Sequence, residues 1–195
     1  MLDTVYLNPP SILQEMEDAT RAIGFTIGSD YLTGSLLRTL AASKPSGALL
    51  ELGTGTGLGT AWLLDGMDAN SRLTTVDRDQ RAPALARRFL GDDSRLTCTT
   101  MDGVAFIEDA RRQSRVFDLI FADMYPGKFE WLAEALQLLA PGGIYVVDDL
   151  LFQTSWAPEH LPQVFALVQT LERREDLHIT KLNWSTGLLI AVKRK

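Results

Sequence analysis

From Ala48 onward, short apolar runs alternate with longer stretches in which apolar positions recur every three or four residues. Runs of the first kind read as buried strands and the periodic stretches as helices. Strands are expected at 48–52, 73–76, 96–99, 117–122 and 144–147. The second of these ends at Asp77, the fourth at Asp123 and the fifth at Asp148-Asp149. Helices are expected at 82–90, 104–112 and 129–139, and Pro141-Gly142-Gly143 reads as a sharp stop before the fifth strand. A long helix over about 161–172 then leads to two last strands, 179–183 and 188–192. Ser185-Thr186-Gly187 between them reads as a hairpin turn.

The first 46 residues follow a different pattern. Asn8-Pro9-Pro10 is a turn, and Ser11 with Gln14 has the spacing of a capping box for a short helix carrying Ile12, Leu13 and Met16. Gly28-Ser29-Asp30 breaks the chain before a second helix with Leu32, Leu36, Leu37 and Leu40 on one face. That face can cover a sheet or pair with a second subunit, which leaves a homodimer open. Lys44-Pro45-Ser46-Gly47 closes the helix. The chain divides into N-terminal helices at 1–46, on the lid or substrate side, and a core at 47–195, within one domain. Alternating strands and helices predict an α/β fold: a mostly parallel sheet with helices on both faces. The terminal hairpin adds an antiparallel strand at the far edge.

Composition narrows the partners. At 195 residues, 46% hydrophobic and 23% charged, the chain has an ordinary globular make-up. Its net charge of −6 argues against nucleic acid, whose phosphates call for a basic face. No apolar run approaches the roughly 18 residues that span a bilayer. The first eight residues lack the basic and apolar segments of a signal peptide. Cys98 is the single cysteine, so no intrachain disulfide forms, in keeping with a cytoplasmic location.

The candidate chemistry begins at Glu51-Leu52-Gly53-Thr54-Gly55-Thr56-Gly57-Leu58-Gly59, where the first strand runs into a glycine-rich turn that opens a helix. Glycines let a backbone approach a ligand closely, and a helix N-terminus favours polar or anionic groups. The dinucleotide fingerprint G-x-G-x-x-G/A fits from neither Gly53, whose third position is Leu58, nor Gly55, whose third is Thr60. The Gly-Lys-Ser/Thr of a triphosphate-binding loop is absent. The E-x-G-x-G-x-G form instead resembles motif I of the class I S-adenosylmethionine methyltransferases. That resemblance implies a single Rossmann-like seven-stranded methyltransferase domain. It implies cofactor contacts from Glu51, Gly53, Gly55, Gly57, Asp77, Asp102, Gly103 and Asp123. Asp77, 24 residues after Gly53, would take the ribose hydroxyls. Asp102-Gly103 would meet the adenine edge, and Asp102 is equally a good N-cap for the following helix. Glu51 would position the loop or reach the methionine end, and once buried would need partners, expected among loop amides.

The stretches Phe117–Ala122 plus Asp123, and Tyr145-Val146-Val147-Asp148-Asp149, resemble the catechol and caffeoyl-CoA type O-methyltransferases. The resemblance covers roughly residues 28–195. It implies methyl transfer to a small hydroxylated acceptor, with Asp123, Asp148 and Asp149 holding a divalent cation such as Mg²⁺. Oxygen ligands suit that ion, and three carboxylates at one point repel each other without it. The family's general-base lysine lies about three residues after the strand-four Asp; here Lys128 comes five residues on, beyond a Pro-Gly turn. Lys128 is therefore the candidate base, or else a solvated surface lysine. Tyr125, Trp156 and Trp184 fall in loops near the ligand end, whereas Trp62 belongs to the core. His160 and His178 lie away from the acidic trio in sequence and read as surface or structural residues. Three further readings stay open: a metal-independent transferase acting on another oxygen, nitrogen or carbon, an NAD(P) enzyme, and a non-catalytic nucleotide-binding module.

Overall fold

A computed structural model describes residues 7–154 and 157–195, so Trp156 lies outside the described residues. Two helices, α1 (Leu13–Ala22) and α2 (Tyr31–Ala42), precede the sheet. The order is then β1 (Ala48–Leu52), α3 (Leu58–Gly66), β2 (Arg72–Asp77), α4 (Pro83–Leu90), β3 (Leu96–Thr100), α5 (Gly103–Arg112) and β4 (Phe117–Ala122). After β4 come a one-turn segment α6 (Tyr125–Lys128), α7 (Leu132–Gln137), β5 (Leu139–Val147), α8 (His160–Glu172), β6 (Leu177–Leu182) and β7 (Leu188–Lys193).

The strands form one seven-stranded sheet in the order β3-β2-β1-β4-β5-β7-β6. The pairs from β3 to β5 are parallel, and β7 runs antiparallel to both β5 and β6. This is the expected Rossmann-like architecture, with one change. The antiparallel strand is not the edge: β7 lies inside, and β6 forms the outer rim. β7 is the more apolar of the two, and Leu188, Leu189 and Ala191 are buried, whereas β6 carries exposed residues as an edge strand should.

Side chains alternate across the sheet and feed two cores. Leu49, Leu119, Phe121 and Val146 pack with residues of α1 to α4, and Leu50, Leu52, Ile120 and Val147 with residues of α5, α7 and α8. Residues 58–64 of α3 are buried on every side, as a helix wedged between the sheet and its neighbours requires. At Gly34 of α2 a Cβ would lie 2.3 Å from the Trp62 indole, so glycine lets the two helices close. Among the described residues no helix is long and apolar enough to cross a membrane.

Local expectations needed four corrections. No side-chain bond caps α1, whose N-cap is Ile12, so the Ser11–Gln14 box is not formed. The buried stripe of α2 is Thr33, Gly34, Leu37 and Ala41, and Leu32, Leu36 and Leu40 are only half-buried. Pro141-Gly142-Gly143 lies within β5 rather than before it. The pairing with β4 shifts register between Phe117 and Leu119, and Gly142 takes a φ of 77°. The helix expected over 129–139 is shorter, because Trp131 adopts a left-handed φ of 55° and α7 starts after it.

Candidate functional site

The strand order reverses between β1 and β4, whose carboxyl ends pair at Leu52 and Ala122. A crevice at such a switch point is where open α/β sheets bind ligands. A cavity of about 630 Å³ opens there. Gly53, Gly55 and Asp77 form part of one wall, and Asp123, Lys128 and Asp149 part of another.

The loop after β1 can take its path only with glycine. Gly53 and Gly57 hold φ values of 105° and 91°. A Cβ on Gly53 would lie 2.6 Å from the Asp123 carbonyl oxygen, and one on Gly57 2.6 Å from Ala86 Cβ. Gly57 is also the left-handed N-cap of α3, so the first amides of that helix face the loop. The Gly55 amide donates to Asp77 Oδ2 at 3.0 Å, which ties the loop to the end of β2. Asp77 Oδ1 accepts from the Asp79 amide at 2.9 Å. Thr20 of α1 meets Thr56 hydroxyl to hydroxyl at 2.9 Å, holding the loop from the other side.

Glu51 is buried beneath this loop, and its partners are hydroxyls rather than the expected loop amides. Oε2 accepts from Thr60 Oγ1 at 2.5 Å and Thr75 Oγ1 at 2.6 Å. Because Thr75 gives its proton to Glu51, its 2.7 Å contact with Thr54 has Thr54 as donor, so the three hydroxyls are aligned toward the carboxylate. Burial outweighs these bonds and pushes the Glu51 carboxyl up to about 7. Gly59 makes room for Oε1, which a Cβ there would approach to 2.6 Å. Asp102 caps α5, with Oδ1 accepting from the Val104 and Ala105 amides at 3.0 and 3.2 Å, and it also reaches the cavity wall. Gly103 is buried against Pro126, whose Cβ a side chain would meet at 2.7 Å.

Lys128 is not a solvated surface residue: it is 4% exposed. Segment α6 explains this. Pro126 and Gly127 depart from helical geometry, with Gly127 at a φ of 88°, so the chain folds Lys128 back under the cavity. Tyr145 of β5 donates its hydroxyl to the Gly127 carbonyl at 2.5 Å and clamps the turn. Lys128 Nζ lies 3.9 Å from Asp149 Oδ2 and 5.3 Å from the centre of the Phe129 ring. Phe129 stacks edge-on with Tyr125 at 5.2 Å and with His160 at 5.1 Å between ring centres. His160, expected to be a surface or structural residue, lines the cavity. The available signal was its place at the start of α8, the helix after β5, because loops from strand carboxyl ends share this edge. Burial lowers the His160 imidazole, and the nearby Lys128 charge adds to this. Trp184 is not a wall of this cavity; its indole donates to the Leu32 carbonyl at 2.9 Å and packs the hairpin loop onto α2.

Asp123, Asp148 and Asp149 come to the same edge of the sheet but engage different partners. Asp123 faces the cavity, and burial with the Asp148 charge raises its carboxyl well above the ordinary range. Asp148 is buried, accepting from the Thr186 hydroxyl and, at 2.7 Å, from the Asp149 amide. Burial pushes its carboxyl up to about 6. Asp149 accepts from Gln153 Nε2 at 2.8 Å and faces Lys128. Among the described residues no group of three or more His, Cys, Asp or Glu side chains is arranged to hold a metal ion. As placed, the trio does not fit a divalent cation: Asp148 turns to the hairpin loop, and an ammonium stands beside Asp149.

The sequence profile of a family described as Methyltransferase domain (Methyltransf_24) matches residues 50–150. The chain belongs to this methyltransferase domain family. The Mycobacterium tuberculosis (strain ATCC 25618 / H37Rv) protein named Probable O-methyltransferase Rv1220c is 34% identical over 127 residues, covering 62% of this chain and 57% of that protein. A relative from Mycolicibacterium paratuberculosis (strain ATCC BAA-968 / K-10), also named for O-methyl transfer, is 32% identical over 135 residues. That match covers 66% of this chain and 61% of the relative, so the chain spans about three fifths of the curated relatives it matches. The fold overlays on the O-methyltransferase from Bacillus cereus in complex with SAH with a TM-score of 0.84 and 19% identity, over 97% of this chain and 94% of that one. It overlays on the O-methyltransferase TomG from Streptomyces achromogenes, in complex with SAM, with a TM-score of 0.85 and 20% identity, over 99% and 94% of the two chains. At such identities these overlays speak to the fold.

Proposed function

We propose that this protein transfers a methyl group from S-adenosylmethionine to a hydroxyl oxygen of a small acceptor. The observation that carries the proposal is the glycine loop at the switch point, whose positive-φ turns at Gly53 and Gly57 leave no room for a side chain beside Asp123 and Ala86 and so lay the backbone of residues 53–56 along the cavity. The cofactor supplies an electrophilic methyl on a sulfonium, and transfer in line needs mainly that both partners be held in place.

Each candidate residue has a role in this reading. Asp77, already fixed by the Gly55 amide, accepts from the ribose hydroxyls with its remaining lone pairs. Asp102 keeps its second oxygen for the adenine edge while Oδ1 caps α5. The Gly103 position lets Pro126 close over the same end. Glu51 orients the loop through its threonines and offers Oε1 to a cationic group. Asp123 and Lys128 face the reacting centre from the β4 side. The helices before the sheet form the lid side, with Phe25 and Ile27 on the cavity wall and Phe25 against Gly55, and the sheet that follows forms the cofactor core. Mg²⁺ has no part in this reading, because an ammonium already stands beside Asp149 and Asp148 Oδ1 is turned to the hairpin loop.

The test is to incubate the protein with S-adenosylmethionine and a panel of phenols and alcohols, and to follow S-adenosylhomocysteine by mass spectrometry. Acceptor-dependent product supports the reading. Binding of the nucleoside with transfer only to nitrogen or carbon, or with no transfer, overturns the oxygen assignment.

A further inference from the structure

We infer that the Lys128 ammonium, held by Asp149, is the cation of this active site, and that its acceptor is a phenol with one hydroxyl rather than a metal-chelating vicinal diol. The inference rests on the methyl-transfer reading and deepens it. Three observations meet here. The first is the burial of Lys128: a buried ammonium is costly unless paired, and its partner is Asp149 Oδ2 at 3.9 Å. The second is the engagement of each carboxylate of the trio. Asp148 is bound by Thr186 and by the Asp149 amide, and Asp149 by Gln153 and Lys128. Both Asp148 contacts fall on Oδ1, and Asp149 Oδ2 already faces the ammonium, so an ion gathering the trio would compete with Lys128 for Asp149. The third is the wall beside Nζ, where Tyr125, Phe129 and His160 stack edge to face. Such a wall suits an aromatic ring.

The chemistry balances without a further ion. The acceptor hydroxyl gives its proton to bulk water as it binds, and its oxyanion lies against the ammonium. An oxygen lone pair forms the new O–C bond while the C–S bond breaks, its electron pair going to sulfur. One positive and one negative charge become a neutral ether and a neutral thioether, and Lys128 stays charged throughout. A diol has no advantage here, because no metal needs a second oxygen. Asp149 acts as a positioning residue, through Lys128.

The experiment uses 4-nitrophenol, whose phenolate is coloured, added in EDTA to the protein saturated with S-adenosylhomocysteine. Saturation itself is checked by calorimetry. The apparent pKa of the bound probe is expected to fall by roughly one unit or more, as for an acid beside an opposite charge. The shift should vanish in Lys128→Met, return in Lys128→Arg, shrink in Asp149→Asn and recover in Asp149→Glu. In parallel, Mn²⁺ titrated into the same complex and read by electron paramagnetic resonance should remain free. An unchanged probe spectrum overturns the inference, as does one tightly bound Mn²⁺ per chain that Asp149→Asn abolishes. Failure of S-adenosylhomocysteine to bind overturns the methyl-transfer reading as well, so the two failures are distinguishable.

Discussion

Glu51 combines a strand-interior position with an ionisable side chain, and its environment makes two measurable demands. Its carboxyl is raised from the ordinary 4.5 to about 7 by burial. The native state therefore holds a proton that the unfolded chain has already released, and the stabilising contribution present below about pH 4.5 is lost as pH rises to about 7. The loss is on the order of 3 kcal/mol. Asp148 and Asp123 shift in the same direction, so Glu51 must be isolated by difference. Urea denaturation of wild type and Glu51→Gln from pH 4.5 to 8 should show the two stabilities diverging in the variant's favour as pH rises. Parallel curves would contradict the burial argument. Gly57 gives a second residue-scale prediction. Alanine there meets both a left-handed φ and Ala86, so Gly57→Ala should cost about 1–3 kcal/mol in thermal unfolding and weaken S-adenosylhomocysteine binding. Unchanged stability and affinity would show that the loop can relax.

The β6–β7 hairpin works as an element because its loop reaches back across the sheet edge. Ser185 meets Asp30 and Thr33 at the start of α2, Trp184 holds the Leu32 carbonyl, and Thr186 holds Asp148. The backbone joins in, as the Leu150 and Leu151 amides donate to the Gly187 and Thr186 carbonyls at 3.0 and 2.8 Å. Thr186→Val removes a hydrogen bond to a buried carboxyl and should cost about 1–3 kcal/mol. Amide exchange at Leu150 and Leu151 should accelerate with it. Exchange confined to its wild-type rate would mean that the hairpin holds this segment without the hydroxyl. The hairpin turn itself was legible in the sequence, since Ser185-Thr186-Gly187 is local turn chemistry. Its destination was not, because bonds to residues some 150 positions away carry no local signature. The same contrast runs through the site. The glycine loop and the strand-end acids were legible from adjacent residues. The burial of Lys128 depends on Tyr145 clamping a turn from another strand, and the place of His160 depends on where α8 begins. Pro141-Gly142-Gly143 misled for a related reason: glycines that look like a stop also accommodate a register shift within a strand.

For the whole molecule, the strand order sets where a ligand can bind. The reversal between β1 and β4 opens one crevice, and the glycine loop, Asp77 and Asp102 border it from one side while Asp123 and Lys128 border it from the other. A ligand that binds only the folded chain stabilises it by mass action, about 2.7 kcal/mol at a hundredfold excess over Kd. S-adenosylhomocysteine at that excess should raise Tm by several degrees, whereas NAD should not, because the glycine spacing departs from the dinucleotide pattern. Equal stabilisation by NAD would favour the NAD(P) enzyme instead. The most direct measurement is a calorimetric titration of S-adenosylhomocysteine into the wild-type protein and into Asp77→Ala. One site of micromolar affinity is expected, weakened at least tenfold in the variant. No heat of binding to the wild type, or equal affinity in both proteins, would contradict it.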